Sequence, residues 1–203
     1  MIFQNLGLTD YEETLLLQRE TVASVQQGEA ERVFLTEHKP VYTLGRHGKE
    51  GNIIHIPEGV KCIRIERGGD ITYHAPGQLV VYPVLNLWSR RLGVKEYVNT
   101  LEQWVIDILA DYGIKGERAE GAPGVWIGIG TTRERKICAL GLAVKRGVTM
   151  HGFALNASID LRGFGNINPC GFIDKGVTSI ERETDTPLDM KLLMKKAEEL
   201  CPF

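Results

Sequence analysis

Hydrophobic residues recur with helical spacing in three segments of the chain. The clearest stripe ends at Gly113, a residue typical of a helix terminus, and its members are three or four positions apart: Val98, Leu101, Val105, Ile108 and Tyr112. A second stripe runs from Leu8 to Val25, with a capping box that begins at Thr9. A third helix is predicted from Thr186-Pro187 onward, because proline is favoured at the first helical position.

Runs of β-branched residues between these helices predict six strands. They cover residues 32–35, 62–65, 79–84, 125–129, 137–144 and 148–157, and residues 130–134 form the turn of a hairpin. Because the helices fall irregularly among hairpin-like strand pairs, the pattern predicts an α+β fold, a mixed β-sheet with packed helices, instead of a doubly wound sheet. No repeat or linker divides residues 1–203, so a single domain is expected.

The composition of the chain restricts its possible binding partners and its cellular compartment. The 203 residues carry a formal net charge of -2, so no overall positive field favours nucleic acid. We expect a cytoplasmic protein without membrane contact, because the sequence shows neither a signal-peptide pattern nor a bilayer-length apolar stretch. The four cysteines have no CxxC spacing and are expected to be reduced. The five histidines show no metal-binding pair, so no metal or other cofactor is expected.

A glycine-rich segment at residues 67–74 is the first candidate for chemistry. Gly68 and Gly69 follow a predicted strand, where glycines leave backbone amides free to contact a ligand. The segment has neither the GKS/GKT ending of a P-loop nor the GxGxxG pattern of a dinucleotide site. A glycine turn with surface polar residues explains the same pattern equally well.

Two predicted strands carry the next candidates. Lys136 precedes an apolar strand, where it is either a solvated strand end or an ammonium group beside an apolar pocket, able to stabilise a thiolate or act as a base. Gly152 and Ala154 alternate along the following strand and therefore share a face, which leaves room for a ligand or relieves crowding in a packed sheet. His151 beside them fits a hydrogen-bonded structural histidine.

Cys170 differs from the cysteines in predicted strands. Most cysteines are buried and inert, and Cys62 and Cys138 fit that description because each lies in an apolar strand. Cys170 stands between proline and glycine in a tight turn, where an accessible, activated thiolate is plausible. A serine nucleophile is disfavoured, because the GxSxG elbow is absent.

Over nearly its whole length the chain resembles the octanoyltransferases of lipoate biosynthesis, also called lipoyl(octanoyl) transferases. The matching segments follow one another in the family's order: residues 38–46, 67–82, 121–126, 136–141, 151–156, 168–171 and 176–179. The resemblance implies a fold similar to the catalytic domains of biotin and lipoate ligases.

The resemblance also implies a reaction. An octanoyl or lipoyl group would move from acyl carrier protein to a lysine of a lipoyl domain, through a thioester on Cys170 whose thiol pKa Lys136 lowers. The implied targets are the lipoyl domains of 2-oxoacid dehydrogenases and the glycine cleavage H protein. The implied substrate-binding residues are Arg67, Gly68, Gly69, Asp70, Ile71, Thr72, Tyr73, His74, Ala139, Leu140, Gly141, Gly152, Phe153 and Ala154. Because the donor is already a thioester, the transfer needs no ATP.

Three alternatives remain open from the sequence. An ATP-dependent lipoate or biotin ligase on the same fold would form an acyl-adenylate and survive Cys170→Ser. An amidotransferase that moves acyl groups between target proteins would place its nucleophile elsewhere. A non-enzymatic acyl-binding protein would need neither Cys170 nor Lys136.

A basic rim is a further hypothesis. Arg90-Arg91, Arg133, Arg135 and Lys145-Arg146 either contact the acidic protein partners or are ordinary charged turns.

Overall fold

A mixed β-sheet forms the centre of the molecule in the computed structural model, which describes residues 1–168 and 176–203. The strands are, in chain order, β1 (Ile2–Thr9), β2 (Arg32–His38), β3 (Val41–Leu44), β4 (Lys61–Arg64), β5 (Ile71–His74), β6 (Gln78–Val84), β7 (Glu117–Ala119), β8 (Ala122–Ile127), β9 (Arg135–Lys145), β10 (Val148–Asn156) and β11 (Gly176–Val177). The main sheet has the order β1-β2-β6-β10-β9-β8-β7, and β11 pairs with β9. A second sheet has the order β4-β3-β5.

Helices cover both faces of the main sheet. They are α1 (Tyr11–Gln26), α2 (Val94–Ala110), α3 (Ile180–Thr184) and α4 (Met190–Glu199), with 3-10 turns at Glu50–Asn52 and Leu161–Asn166. Helix α1 packs on β6 and β10 on one face, whereas α2 and α4 pack on the other. Trp104 in α2 donates its indole N–H to Ala197 O in α4 at 2.9 Å, which joins these two helices. None of the helices in the described residues is long and apolar enough to span a membrane.

The structure confirms the predicted α+β class with its mixed sheet, and it corrects the N-terminus. Residues up to Thr9 form β1 instead of the start of α1, and Asp10 caps the helix by accepting from Glu12 N at 3.0 Å. The Thr9 hydroxyl contacts Thr36 Oγ1 across the β1–β2 pair at 2.8 Å. Strand β1 lies at the sheet edge and is mostly exposed, so it lacks the alternation that would predict it.

Two smaller predictions also change. Helix α4 begins at Met190 and is capped by Asp189, whose side chain accepts from Lys191 N at 2.8 Å, so the chain after Pro187 is not yet helical. Cys62 on β4 is exposed instead of packed, whereas Cys138 on β9 is buried as expected. Strand β4 is the edge of the small sheet, which explains the exposure of Cys62.

Candidate active site

A cavity of about 520 Å³ lies between the α1 side of the main sheet and the loop that precedes β5. Lys136 and all but one of the residues implied to bind substrate line it: Arg67, Gly68, Gly69, Asp70, Ile71, Thr72, His74, Ala139, Leu140, Gly141, Gly152, Phe153 and Ala154. The exception is Tyr73. Cys170 lies outside the described residues, so its position relative to the cavity stays a prediction.

The floor of the cavity consists of small residues paired across two strands. Ala139 on β9 lies opposite Ala154 on β10, and Gly141 lies opposite Gly152. These residues share a face because side chains alternate along a strand. A Cβ on Gly152 would come within 2.2 Å of Val81 O, so this glycine also relieves crowding within the sheet itself. The result is a groove with the Ala139–Ala154 pair on its floor, bounded over Gly141 by the glycine-rich loop, because a Cβ on Gly141 would come within 3.0 Å of Gly68 O.

The glycine-rich loop forms a wall that is held by its own polar side chains. The buried Arg67 donates through Nη2 to Thr43 O at 2.7 Å and through Nη1 to Gly68 O at 2.9 Å. Gly68 N donates to Leu142 O at 2.9 Å, which fixes the loop against β9. Asp70 accepts from Ile71 N at 2.8 Å and from the Asn52 side chain. Arg67 and Asp70 therefore shape the loop, and the guanidinium places positive charge beside the cavity.

Tyr73 lies apart from this group. Its ring packs 4.9 Å from the Tyr42 ring and edge-on to Phe164 at 5.6 Å, in the core between the small sheet and the 3-10 turn. Its neighbours Thr72 and His74 line the cavity because alternate residues of β5 point the opposite way.

A β-bulge directs Lys136 to the cavity. The β8–β9 register shifts between Val125 and Trp126, and Ile137 enters the core under α2 while Lys136 lines the cavity. Bulges of this kind commonly re-aim a side chain at a functional site. The Lys136 ammonium lies 4.5 Å from the centre of the Trp126 ring and donates to Pro123 O at 3.3 Å. The cation is thus held in place by an aromatic face and a carbonyl.

The cavity also borders a cluster of buried aromatic and histidine side chains. The Tyr11 ring stacks on His74 at 5.7 Å and lies 5.0 Å from His38. His38 Nε2 and the Tyr82 hydroxyl form a hydrogen bond of 2.8 Å. His74 Nδ1 donates to Gln78 Oε1 at 2.7 Å, because the amide nitrogen of Gln78 is used by Asn156 Oδ1. Only His74 of this cluster was expected from the sequence, since single histidines and tyrosines in apolar segments give little local signal.

Burial keeps these groups neutral. It lowers the pKa of His38 to about 4 and that of His74 to about 3, and it raises the pKa of Tyr11 and Tyr82. Neutral imidazoles and phenols of this kind form a hydrogen-bonding surface at physiological pH and hold their protons. Burial also raises the pKa of the Cys138 thiol, which suits the inert role predicted for it.

His151 is the least satisfied of the buried polar residues. Its backbone has a φ of +60°, and its N–H donates to Gln18 Oε1 at 2.8 Å. Its ring is buried at the cavity, 6.4 Å from the Tyr82 ring, and neither ring nitrogen has a hydrogen-bond partner among the described residues. Among the described residues, the hydrogen-bond partners expected of a structural histidine are not found for the ring.

Known proteins resemble the chain in both sequence and structure. Residues 10–200 match the lipoyl protein ligase A/B catalytic domain. The octanoyltransferase of Bacteroides thetaiotaomicron is 53% identical over 177 residues, which cover 83% of this chain and 78% of that protein.

Solved structures share the fold at much lower identity. A bipartite lipoate protein ligase from Thermoplasma acidophilum superposes with a TM-score of 0.71 at 16% identity, covering 98% of this chain and 80% of that one. The biotin protein ligase of Aquifex aeolicus gives 0.54 at 11% identity, covering 99% and 67%. These structures confirm the predicted fold similarity. The chain belongs to the lipoyl protein ligase A/B catalytic domain family, and its sequence similarity lies with the octanoyltransferases of that family.

Proposed function

We propose that this chain is an acyltransferase that moves an octanoyl group from acyl carrier protein to a lysine of a lipoyl domain, through a thioester on Cys170. The observation that carries the proposal is the groove along β9 and β10, with Ala139 and Ala154 on its floor and Lys136 at its border. A mostly apolar groove beside a fixed cation suits a fatty acyl chain with a reactive carbonyl at one end. The similarity of the sequence to an octanoyltransferase supports octanoyl as the acyl group.

The chemistry proceeds in two balanced steps. The Cys170 thiolate attacks the thioester carbonyl of the acyl carrier protein, the bond to the carrier sulfur breaks, and the carrier thiolate leaves with the proton of the Lys136 ammonium. The target lysine amine then attacks the enzyme thioester, the bond to the Cys170 sulfur breaks as the amide forms, and the amine proton passes to Lys136, which regenerates the thiolate and ammonium pair. Lys136 as a cation stabilises the thiolate in the first step and, as a neutral amine, accepts the proton of the incoming amine in the second.

The described residues that flank Cys170 in the chain are connected to the same cavity, one through its wall and one as part of its lining. Asn168 N donates to Asn52 O at 2.8 Å, and Asn52 in turn donates to the Asp70 carboxylate at the cavity wall. Val177 pairs with Lys136 on β9 and lines the cavity. These two anchors support the assignment of Cys170 as the partner of Lys136.

We propose that the protein partners are octanoyl acyl carrier protein and lipoyl domains, including those of 2-oxoacid dehydrogenases and the glycine cleavage H protein. Half of the six residues of the expected basic rim form ion pairs within the chain. Arg90 pairs with Glu31, Arg135 with Glu183, and Lys145 with Glu66 at 2.9 Å. Arg133 is exposed on the β8–β9 turn and is the best remaining candidate for contact with an acidic partner.

Intact-mass measurement tests the thioester. Incubation with octanoyl acyl carrier protein, in the absence of ATP, should add the mass of one octanoyl group, and hydroxylamine should remove it. Cys170→Ala should abolish the adduct, whereas Cys62→Ala should retain it, because Cys62 is an exposed thiol on a different sheet.

Two results would contradict the proposal. An adduct that persists in Cys170→Ala would place the nucleophile elsewhere. A protein that acylates lipoyl domains only with free octanoate and ATP, and survives Cys170→Ser, would instead be a ligase.

A further inference from the structure

The cavity is lined by a buried imidazole that the proposed chemistry does not use. His151 is 1% exposed, lines the cavity, and leaves both ring nitrogens without a partner among the described residues. Burial lowers its pKa to about 3, so the ring is neutral and offers one N–H donor and one acceptor. Such unpaired buried groups are costly, and they usually have a partner in water or ligand.

The backbone holds this ring in place at some energetic cost. A φ of +60° is unfavourable for a residue with a side chain, and such conformations are concentrated at functional sites. Gln18 on α1 stabilises the conformation by accepting the His151 N–H at 2.8 Å. The local geometry therefore aims the ring into the cavity at the expense of regular β10 alternation.

Strand register gives the distance between this ring and the reactive end of the groove. The end of the Lys136 side chain lies at the level of Ala139 along β9. Its Cε is 3.6 Å from the point that a Cβ on Gly124 would occupy, and Gly124 pairs with Ala139. His151 pairs with Leu142, three residues farther along β9. An antiparallel strand advances about 3.4 Å per residue, so the two levels are about 10 Å apart.

An octanoyl chain fits that distance. An extended acyl chain advances roughly 1.25 Å per bond, given C–C bonds of about 1.5 Å and angles near 111°, so eight carbons span about 9 Å. A chain that starts beside the Lys136 ammonium, passes over the Ala139–Ala154 pair and continues past Gly152, beside the contact of Gly68 with Gly141, therefore ends at the level of His151.

We propose that the His151 ring is a hydrogen-bonding stop at the inner end of the groove, which sets the accepted acyl length and favours a polar atom just beyond the eighth carbon. This inference rests on the proposed function. With an octanoyl chain, the ring hydrogen-bonds to water next to the terminal methyl group. A ninth carbon displaces that water and leaves the ring unpaired, whereas a hydroxyl in the same place restores the hydrogen bond.

Two acyl chains of equal length test this stop. Acyl carrier protein loaded with nonanoyl or with 8-hydroxyoctanoyl differs only in a terminal methyl group against a hydroxyl. We expect the wild-type protein to have a higher kcat/KM for the 8-hydroxyoctanoyl chain than for the nonanoyl chain. His151→Leu should lower the ratio of the first kcat/KM to the second by about tenfold or more. His151→Asn, which keeps a polar group and tolerates positive φ, should retain a ratio closer to wild type.

The controls separate the possible failures. His55→Leu makes the same replacement at an exposed histidine outside the cavity lining and should leave the ratio unchanged. A wild-type protein that prefers nonanoyl, or a His151→Leu ratio equal to that of wild type, overturns the stop while octanoyl transfer itself persists. If His151→Leu does not fold, the ratios of the wild-type protein and of His151→Asn still test the stop, because a preference for nonanoyl contradicts it. Absence of transfer with every acyl carrier protein instead overturns the proposed function.

Discussion

The two faces of the β9–β10 strand pair differ in packing: one is close-packed against a helix, and the other borders a cavity. Under α2, Phe153 lies edge-on to Trp104 with ring centres 5.3 Å apart, and both side chains are fully buried. On the α1 side the next residue, Ala154, lies beside Ala139 on the floor of an open cavity. Adjacent residues thus serve different purposes: one face supplies the close-packed core that stabilises the fold, and the other leaves space for a substrate.

The difference extends to the irregularities of the strands. Lys136 reaches the cavity at a bulge of β9, and His151 reaches it through a left-handed backbone in β10. Regular alternation suffices for the core face, whereas the polar groups of the cavity face depend on departures from it. The substitutions below separate the two faces.

The largest expected effect is the loss of transfer in Lys136→Met. The variant removes the cation beside the proposed thioester while it keeps an unbranched side chain over Trp126. Acid–base and charge stabilisation of this kind contribute about a hundredfold to ten-thousandfold, so we expect kcat/KM for octanoyl transfer to fall by at least about a hundredfold. Lys115→Met, at a side chain that is 86% exposed, is the matched control. A decrease of less than about fivefold with Lys136→Met would remove Lys136 from the mechanism.

Neighbouring substitutions at Phe153 and Ala154 test the division between the faces directly. Phe153→Ala should lower the free energy of unfolding by about 3–5 kcal/mol, because it leaves a void against Trp104. Ala154→Leu fills the groove and should reduce octanoyl transfer by about tenfold or more, with a smaller effect on unfolding. Urea unfolding and transfer kinetics on both variants give the comparison. The division fails if Phe153→Ala blocks transfer more than Ala154→Leu does, at equal folded fraction.

Sequence patterns predicted the core face better than the cavity face. The stripe through Leu101 and Val105 and the runs of β9 and β10 follow from simple periodicity, because large apolar residues at regular spacing signal burial. Small residues at 152 and 154 indicated an open face, but not that they pair with Gly141 and Ala139. That pairing depends on strand register, which no local pattern reveals.

The buried polar cluster was the least predictable part. His38, Tyr11 and Tyr82 are far apart in the chain: the pairing of β2 with β6 brings His38 to Tyr82, and the packing of α1 on the sheet adds Tyr11. Resemblance to a family supplied Cys170 and Lys136, since a loop cysteine and a strand-end lysine carry little information alone. The roles of these two residues stay predictions that the variants above test.

A third difference between the faces is their response to acid. The buried histidines His38, His74 and His151 all lie on the α1 side, and burial lowers their pKa to about 4, 3 and 3. The unfolded chain binds these protons near pH 6.5, so stability is full above that pH and decreases as the pH falls toward the folded-state values. Each of these histidines should lower the free energy of unfolding by about 2 kcal/mol at pH 5.

Removal of one histidine measures this contribution. In His38→Gln, the dependence of the unfolding free energy on pH between about 5 and 6 should become shallower by about 1.2 kcal/mol per pH unit than in wild type. Urea titrations at several pH values provide the slope. An unchanged slope would mean that His38 is protonated in the folded protein as readily as in the unfolded chain.

The smallest expected effect concerns the surface beside the cavity. Arg133→Glu reverses an exposed charge on the turn that leads into Lys136, and Lys191→Glu reverses an exposed charge on α4, on the opposite side of the main sheet. If the carrier protein docks near Lys136, Arg133→Glu should raise its KM by a few-fold with kcat unchanged, and the effect should shrink as salt screens the charges. Arg135 is unsuitable for this test, because its pairing with Glu183 is part of the folded structure. Equal KM values for the two reversals would show that the acidic partner binds without using the β8–β9 turn.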